Sequence, residues 1–248
     1  MLNWYIINTR ALILVLLGGL VGATATSALA GDQAPVVVEL FTSQGCSSCP
    51  PVDEYLGELS RRSDVLALSY HVDYWNYIGW TDPFGSKAAS QRQRDYAKHL
   101  NLRYVYTPQM VINGAAEGIG SERETIEALI KTAERDAPAR QPISVTRNTD
   151  GRLAVHVDAG AASEPATVML IGFDREHVTS VLRGENEGRT LREYQVVRSC
   201  EPLGTWRGEA LDFALAPDQA GGDGGVAVLL QTSTGRIIGA ALLKPPTS

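Results

Sequence analysis

The sequence predicts an α/β domain, a mixed sheet flanked by helices, followed by an all-β sandwich-like domain. Three observations predict this. Strand and helix periodicities alternate up to about residue 136. Composition then turns proline-rich at Ala137-Pro138-Ala139-Arg140-Gln141-Pro142. Beyond that point only short strand patterns remain, spaced by turn residues. The expected division is residues 1–30 as a signal peptide, 35–137 as the first domain and 142–244 as the second.

The presequence reading rests on Arg10, the apolar run Ala11 to Leu17 and the small-x-small site Ala28-Leu29-Ala30. Even extended to Val21 the run is short for a bilayer span. The expected product is periplasmic or secreted, with no stable membrane span after cleavage.

Val36 to Phe41 is β-branched, apolar and short, which predicts a buried strand. Val52, Tyr55, Leu56 and Leu59 recur at helical spacing, so a helix is expected over Val52 to Arg62, with a second strand over Val65 to Val72. Asp82-Pro83 reads as an N-cap followed by proline at the first helical position, opening a polar helix that runs to about Asn101. Met110-Val111-Ile112 is a third strand. Asn113-Gly114 then predicts a hairpin into a fourth over Ala116 to Gly118. Ser121-Glu122-Arg123-Glu124 reads as a capping box for a helix that carries Ile126, Leu129, Ile130 and Ala133 on one face. The early strand–helix–strand units predict parallel pairing, with the hairpin as an antiparallel edge. In the second half strands are expected at Ile143 to Val145, Leu153 to Val157, Thr167 to Phe173, Arg192 to Val197, Ala210 to Leu215, Val226 to Gln231 and Ile237 to Leu243.

The net charge is −6, and no basic stripe runs along the chain. Phosphate neutralisation supplies most nucleic-acid affinity, so nucleic acid is excluded as the expected partner. Three cysteines are too few for a stapled scaffold in a chain of 248 residues, which points to local chemistry.

Cys46-Ser47-Ser48-Cys49 follows the first strand directly. Two thiols at this spacing ahead of a helix suit a dithiol/disulfide site. The unpaired N–H groups and partial positive charge of a helix N-terminus favour a thiolate, and the second sulfur is in reach of a mixed disulfide made by the first. Cys46 is expected to be the exposed nucleophile and Cys49 the resolving thiol, acting on a protein or small-molecule thiol or disulfide without a cofactor. Two alternatives stay open for such a pair, a metal site and an inert structural disulfide. Zinc would need two further ligands, and the chain offers no second C-x-x-C and only four scattered histidines. A copper- or zinc-handling site would use both thiols with His71.

Thr107-Pro108 precedes the third strand. Beside the Cys pair, a cis X-Pro bond would present backbone groups to an extended peptide; an ordinary trans proline at a strand start is the plainer reading.

These residues resemble the thioredoxin-like superfamily over roughly Pro35 to Asp136. The resemblance rests on strand–Phe41-x-x-x-x-Cys46-x-x-Cys49–helix, then Thr107-Pro108–strand–Asn113-Gly114–strand–helix. The helix inserted between the halves is similar to the periplasmic oxidoreductase branch. Phe41-Thr42-Ser43-Gln44-Gly45-Cys46-Ser47-Ser48-Cys49-Pro50-Pro51, His71-Val72-Asp73-Tyr74-Trp75 and Tyr106-Thr107-Pro108-Gln109-Met110-Val111 resemble a family of secreted bacterial thioredoxin-like proteins of unknown function that extends through the β-rich tail.

The resemblance implies thiol–disulfide exchange at Cys46 and Cys49, with Pro108 holding substrate. The chain also departs from it. Gly45 stands where thioredoxins carry tryptophan. Leu40 stands where they keep a buried aspartate that takes the resolving thiol's proton, so another base is required. Pro50 and Pro51 bias Cys49 away from helical angles and leave the Cys pair in a turn ahead of the helix.

Around the pair, Tyr74, Trp75, Tyr77 and Trp80 form either an apolar peptide platform or a packed loop plug. Asp73 and His71 are the candidate bases; Glu39, one residue from Leu40, faces the other side of the sheet. Lys87, Arg94 and Lys98 share a helix face that reads as solvated. Cys200 reads as a small buried hydrophobe, with an electron relay or a bridge to a partner as the alternative. Arg183 to Arg189 reads as a surface turn.

Overall fold

Val36–Thr42 (β1) and Val65–His71 (β2) pair in parallel along their whole length in the computed structural model, which describes residues 34–135 and 140–245. The expected signal peptide, residues 1–30, and residues 136–139, which include the first half of the proline-rich linker, lie outside the described residues. Pro50–Leu59 (α1) connects β1 to β2.

Lys87–His99 (α2) follows β2, capped by Ser86, whose Oγ accepts from the Ala89 amide at 3.1 Å. The expected cap Asp82 is not used, because its carboxylate already accepts from His71 and from the Gln44 amide. Gln109–Ile112 (β3) and Ala116–Ile119 (β4) form the predicted hairpin, with positive φ at both Asn113 (48°) and Gly114 (61°). Arg123–Arg135 (α3) starts two residues after Ser121, so Ser121 does not cap it.

Only the first strand–helix–strand unit is parallel. β3 runs antiparallel to β1, Phe41 beside Gln109 and Val38 beside Ile112. The chain leaving α2 is tied down before it can return to the far end of the sheet. Gln93 in α2 donates to the Tyr106 carbonyl (2.7 Å) and to Gln109 Oε1 (2.9 Å), so β3 starts at the end where β1 finishes.

The second half is all strand among the described residues: Ile143–Arg147 (β5), Leu153–Val157 (β6), Ala166–Ser180 (β7), Thr190–Trp206 (β8), Leu211–Leu215 (β9), Gly225–Thr232 (β10) and Ile237–Leu243 (β11). An eight-stranded mixed sheet has the order β11-β10-β7-β8-β2-β1-β3-β4, and β5-β6-β9 form a second sheet. The sheet therefore runs straight through the expected domain division. β8 joins the open edge of β2 in parallel at Ser69 and Val196. An uncovered β2 edge would expose unpaired N–H and C=O groups, and β8 removes it.

The apolar cores cross the division as well. Phe41, Leu68, Tyr70 and Tyr96 share one core with Ile171, Phe173, Ala227 and Leu229. On the other face of β1 and β2, Val38, Leu40 and Ala67 pack against Leu56 of α1 and Ile130 of α3. A third core places Val155 of β6 with Leu170 and Val228, between the two sheets.

α1 touches β8 at a glycine. A Cβ on Gly57 would stand 2.6 Å from the Tyr194 ring, whose hydroxyl donates to Glu54 Oε2 at 3.2 Å. Gly57→Ala is expected to cost about 1–3 kcal/mol in denaturant unfolding, because the overpacked ring must move. An unchanged midpoint would show that Tyr194 swings away freely.

Candidate functional site

Cys46 and Cys49 form a disulfide with their Cα atoms 5.4 Å apart. The turn carrying them is held by its own backbone. The Cys46 amide donates to the Ser43 carbonyl (3.1 Å), and the Cys49 amide to the Cys46 carbonyl (3.2 Å). Cys49 is the N-cap of α1, and Pro50 and Pro51 occupy the first helical positions. As expected, the pair sits ahead of the regular helix.

Cys49 nevertheless has helical angles, φ −76° and ψ −40°, against the bias of a residue before proline. Its carbonyl accepts from the Val52 (2.8 Å) and Asp53 (3.1 Å) amides, which fixes that geometry. With two prolines first and the next two amides spent on Cys49, the first turn of α1 offers the sulfurs no free N–H group.

Cys46 is not exposed. It is 1% accessible and Cys49 is 0% accessible. The tip of the β7–β8 hairpin, whose residues 183–189 the sequence reads as a surface turn, lies against the turn that carries them. Asn186, fully buried, donates through Nδ2 to the Gln44 (2.9 Å) and Cys46 (3.0 Å) carbonyls. The Ser47 amide donates to Glu185 Oε2 at 3.2 Å. Gly184, at φ 81°, backs onto Trp80 and Ile78 so closely that a Cβ there would stand 3.2 Å from the Trp80 Cβ.

Thr107-Pro108 is cis. Trp75 links it to the Cys turn: its Nε1 donates to Thr107 Oγ1 at 2.8 Å, while its Cβ leaves only 3.0 Å for a Cβ on Gly45. A side chain at Gly45 would collide with Trp75, which accounts for the glycine before Cys46. Gly120, whose amide donates to the Pro108 carbonyl at 3.0 Å, would meet Val52 of α1 at 2.5 Å if it carried a Cβ. Pro108 itself is buried.

Tyr74 donates to Gln93 Oε1 (3.0 Å) and Trp80 to Gln44 Oε1 (2.8 Å), so both are structural ties, whereas Tyr77 is 82% exposed. Asp73 is engaged by α2, with its Oδ1 accepting from Ser90 Oγ at 2.5 Å. Glu39 lies on the α2 face, as alternation along β1 requires, and accepts from Arg92 at 2.7 Å. Lys87, Arg94 and Lys98 are exposed.

Beneath the Cys turn lies a buried titratable cluster of His71, Asp82, Asp53 and Glu193. His71 Nδ1 donates to Asp82 Oδ2 at 2.8 Å, and its Nε2 has no partner. Burial is the largest single influence and opposes the imidazolium, but the charge and hydrogen bond of Asp82 together with the other acids around it outweigh burial and raise the His71 pKa. Burial likewise opposes ionised Asp82, and His71 together with the Gln44 and Phe84 amides brings its pKa down. Asp53, in the first turn of α1, is pushed up to about 8, chiefly by burial, and its Oδ1 is unpartnered. Glu193 is raised for the same reason; its Oε1 accepts from Gln44 Nε2 at 2.8 Å.

Sequence reasoning found His71 and missed Asp53, Gln44, Asn186 and Glu193. Asp53 carried a usable signal: at helical spacing it falls beside Val52 and Leu56 on the buried side of α1. The others carried none, because their partners are 38 to 149 residues away.

Fold and site together define a mixed α/β protein whose dicysteine turn is closed by a β-hairpin and underlain by buried acids and a histidine. The chain belongs to the family described as "Protein of unknown function (DUF1223)", whose model matches residues 37–231. It is similar to the crystal structure of protein AGR_C_4864 from Agrobacterium tumefaciens, at 33% identity and a TM-score of 0.76, covering 88% of this chain and 98% of that one. A likeness of fold alone links it to HBP35 of Porphyromonas gingivalis, at 13% identity and a TM-score of 0.61, covering 86% of this chain and 76% of that one. No curated protein matches the chain.

Among the described residues no helix is long and apolar enough to cross a membrane. No group of three or more His, Cys, Asp or Glu side chains among them is placed to hold a metal ion.

Proposed function

We propose that the protein is an exported thiol–disulfide oxidoreductase with a thioredoxin-like first half, exchanging electrons with a protein or small-molecule thiol. The observation that carries this reading is the Cys46–Cys49 disulfide at the N-terminus of α1, joined through Trp75 to the cis Thr107-Pro108 bond. Export rests on the presequence pattern around Arg10 and Ala28-Leu29-Ala30.

In the direction starting from the disulfide, a partner thiolate attacks Cys46 Sγ and forms a mixed disulfide. The Cys46–Cys49 bond breaks, and Cys49 departs as a thiolate that takes up one proton. A second partner thiol, losing its proton, attacks the partner sulfur of the mixed disulfide. The partner leaves oxidised by two electrons, with Cys46 and Cys49 both reduced. Asp53 supplies the proton for Cys49. It is one helical turn beyond Cys49, buried, and protonated at neutral pH with a pKa of about 8. The charge on His71 lowers the Asp53 pKa, and those on Glu193 and Asp82 raise it, on top of the larger effect of burial.

Cys49→Ser is expected to retain a mixed disulfide through Cys46 after incubation with periplasmic extract, seen by mass spectrometry under non-reducing conditions. Cys46→Ser is expected to retain none while keeping its fold. A Cys49→Ser protein that captures no thiol partner sinks the proposal.

The burial of both sulfurs favours a second reading, a non-enzymatic binding module whose disulfide only staples the turn. That reading requires the pair to stay oxidised against strong reductant, so redox titration in glutathione and then dithiothreitol separates the two.

A further inference from the structure

Whether a cysteine pair takes electrons or gives them depends on how well its surroundings hold the thiolate of the reduced form, because a stabilised thiolate makes the pair easier to reduce. Around Cys46 the backbone donors are committed elsewhere. The Gln44 amide donates to Asp82 (2.9 Å), the Gly45 amide to Ser43 Oγ (3.1 Å) and the Ser47 amide to Glu185 (3.2 Å). The Cys46 and Cys49 amides close the turn on the Ser43 and Cys46 carbonyls, and those of Val52 and Asp53 are spent on the Cys49 carbonyl. Pro50 and Pro51, at the first helical positions, have no N–H to give. One side-chain donor does reach the sulfur. Ser48 Oγ stands 3.4 Å from Cys46 Sγ, and since a disulfide sulfur carries no hydrogen, the hydroxyl is the donor. It is uncharged.

The charged side chains described around the turn add no net cation. On the hairpin tip Glu185 is matched by Arg189, which donates to Asn186 Oδ1 at 2.8 Å. Beneath the turn His71 is paired with Asp82 at 2.8 Å, with the acids Asp53 and Glu193 alongside. Both cysteines are buried, and burial without a charge partner disfavours a thiolate. The disulfide carries no charge and loses nothing comparable.

Granted the thiol–disulfide exchange proposed above, on which this rests, we propose that the dithiol form is the working form of the protein and that its substrates are disulfides, which it reduces. Cys46, as thiolate, attacks a partner disulfide, whose S–S bond breaks to release one partner thiolate. Cys49 then attacks Cys46 Sγ, closes the Cys46–Cys49 bond and releases the second partner sulfur. Two electrons pass to the partner, and the two protons lost by the cysteines are taken up by the partner's thiolates. A dithiol of lower potential, itself ending as a disulfide, restores the pair.

Equilibration of the full protein with glutathione buffers of increasing reduced fraction tests this, approached from the oxidised and the pre-reduced side, with protein disulfide isomerase run alongside. Acid quenching, alkylation and mass spectrometry count the thiols. The equilibrium is expected to lie about a thousandfold further toward the disulfide than in protein disulfide isomerase, and dithiothreitol is expected to reduce the pair. Pre-reduced protein should convert one oxidised glutathione to two reduced. Pro50→Ala combined with Pro51→Ala returns two N–H groups to the helix start, and is expected to ease reduction about three- to tenfold at about pH 9, where the thiolate is populated. Half-reduction in the buffers that half-reduce protein disulfide isomerase would overturn the direction, as would a folded double variant with an unchanged equilibrium. If that variant does not fold, the equilibrium of the unaltered protein decides. A folded pair that dithiothreitol fails to reduce would instead remove the exchange reading itself.

Discussion

Asn186→Ala is expected to speed reduction of the Cys46–Cys49 disulfide by dithiothreitol by about ten- to a hundredfold. A disulfide whose cysteines are 1% and 0% exposed reacts only from the fraction of molecules in which its cover has lifted. Two of the hydrogen bonds holding that cover come from one amide, donated to the Gln44 and Cys46 carbonyls. At about 0.5–1.5 kcal/mol each their loss totals about 1–3 kcal/mol, and each 1.4 kcal/mol is a factor of about ten in the open population.

Glu185→Gln should do much less, because its bond to the Ser47 amide is at the exposed rim. Quenched alkylation followed by mass spectrometry reads the rate, and a denaturant midpoint taken alongside separates local lifting from global unfolding. A variant that keeps the wild-type rate would show that the hairpin tip is no gate.

Asp53→Asn is expected to make the oxidised protein more stable at neutral pH while slowing its reduction. In the folded chain the Asp53 carboxyl holds its proton to about pH 8, against an ordinary value of 3.8. Between those values the folded state binds a proton that the unfolded state has released, so stability falls as pH rises. The slope from this group is at most about 1.4 kcal/mol per pH unit. His71 has the same sign: its raised pKa contributes stability that is full below 6.5 and lost as pH climbs through the folded value. Asp82 acts the other way and only at the acid end, where stability is lost as pH falls below 3.8.

Asparagine is close in shape to the protonated acid and does not titrate, so the variant should show a visibly flatter stability profile from about pH 4 to 8. It also has no proton to give. Reduction of the disulfide should slow by about a hundredfold, the lower end of what a positioned acid contributes. Greater stability combined with slower exchange is a signature that simple structural damage does not produce. A variant with the wild-type pH profile would mean that Asp53 is ionised in the folded chain.

The parts legible in the sequence are those whose causes lie within a few residues. The Cys46–Cys49 turn, the helix started by Pro50, and the Asn113-Gly114 hairpin each follow from local backbone preference. So does the strand–helix alternation of the first half. Even the missing free N–H groups at the α1 N-terminus are readable from two adjacent prolines. Reading fails where a residue's role depends on a distant partner. Asp82 looks like a helix cap because its local pattern is that of one, yet a buried histidine and the Gln44 amide take its carboxylate instead. Residues 183–189 look like a surface turn because they are polar and glycine-bearing, and nothing local says that Asn186 will meet a carbonyl 140 residues earlier.

By itself the sequence determined that two sulfurs would be held together at the mouth of a helix after a buried strand, since spacing, proline placement and apolar runs act over single turns of chain. Only the tertiary structure decided that they would be covered, by what, and over which acids. Those outcomes depend on β8 closing the open edge of β2 and carrying Glu193 with it, and on a long hairpin reaching back over the turn. Sheet pairing between distant strands is set by which edge is left unpaired once the local elements have formed, and no local periodicity encodes that choice.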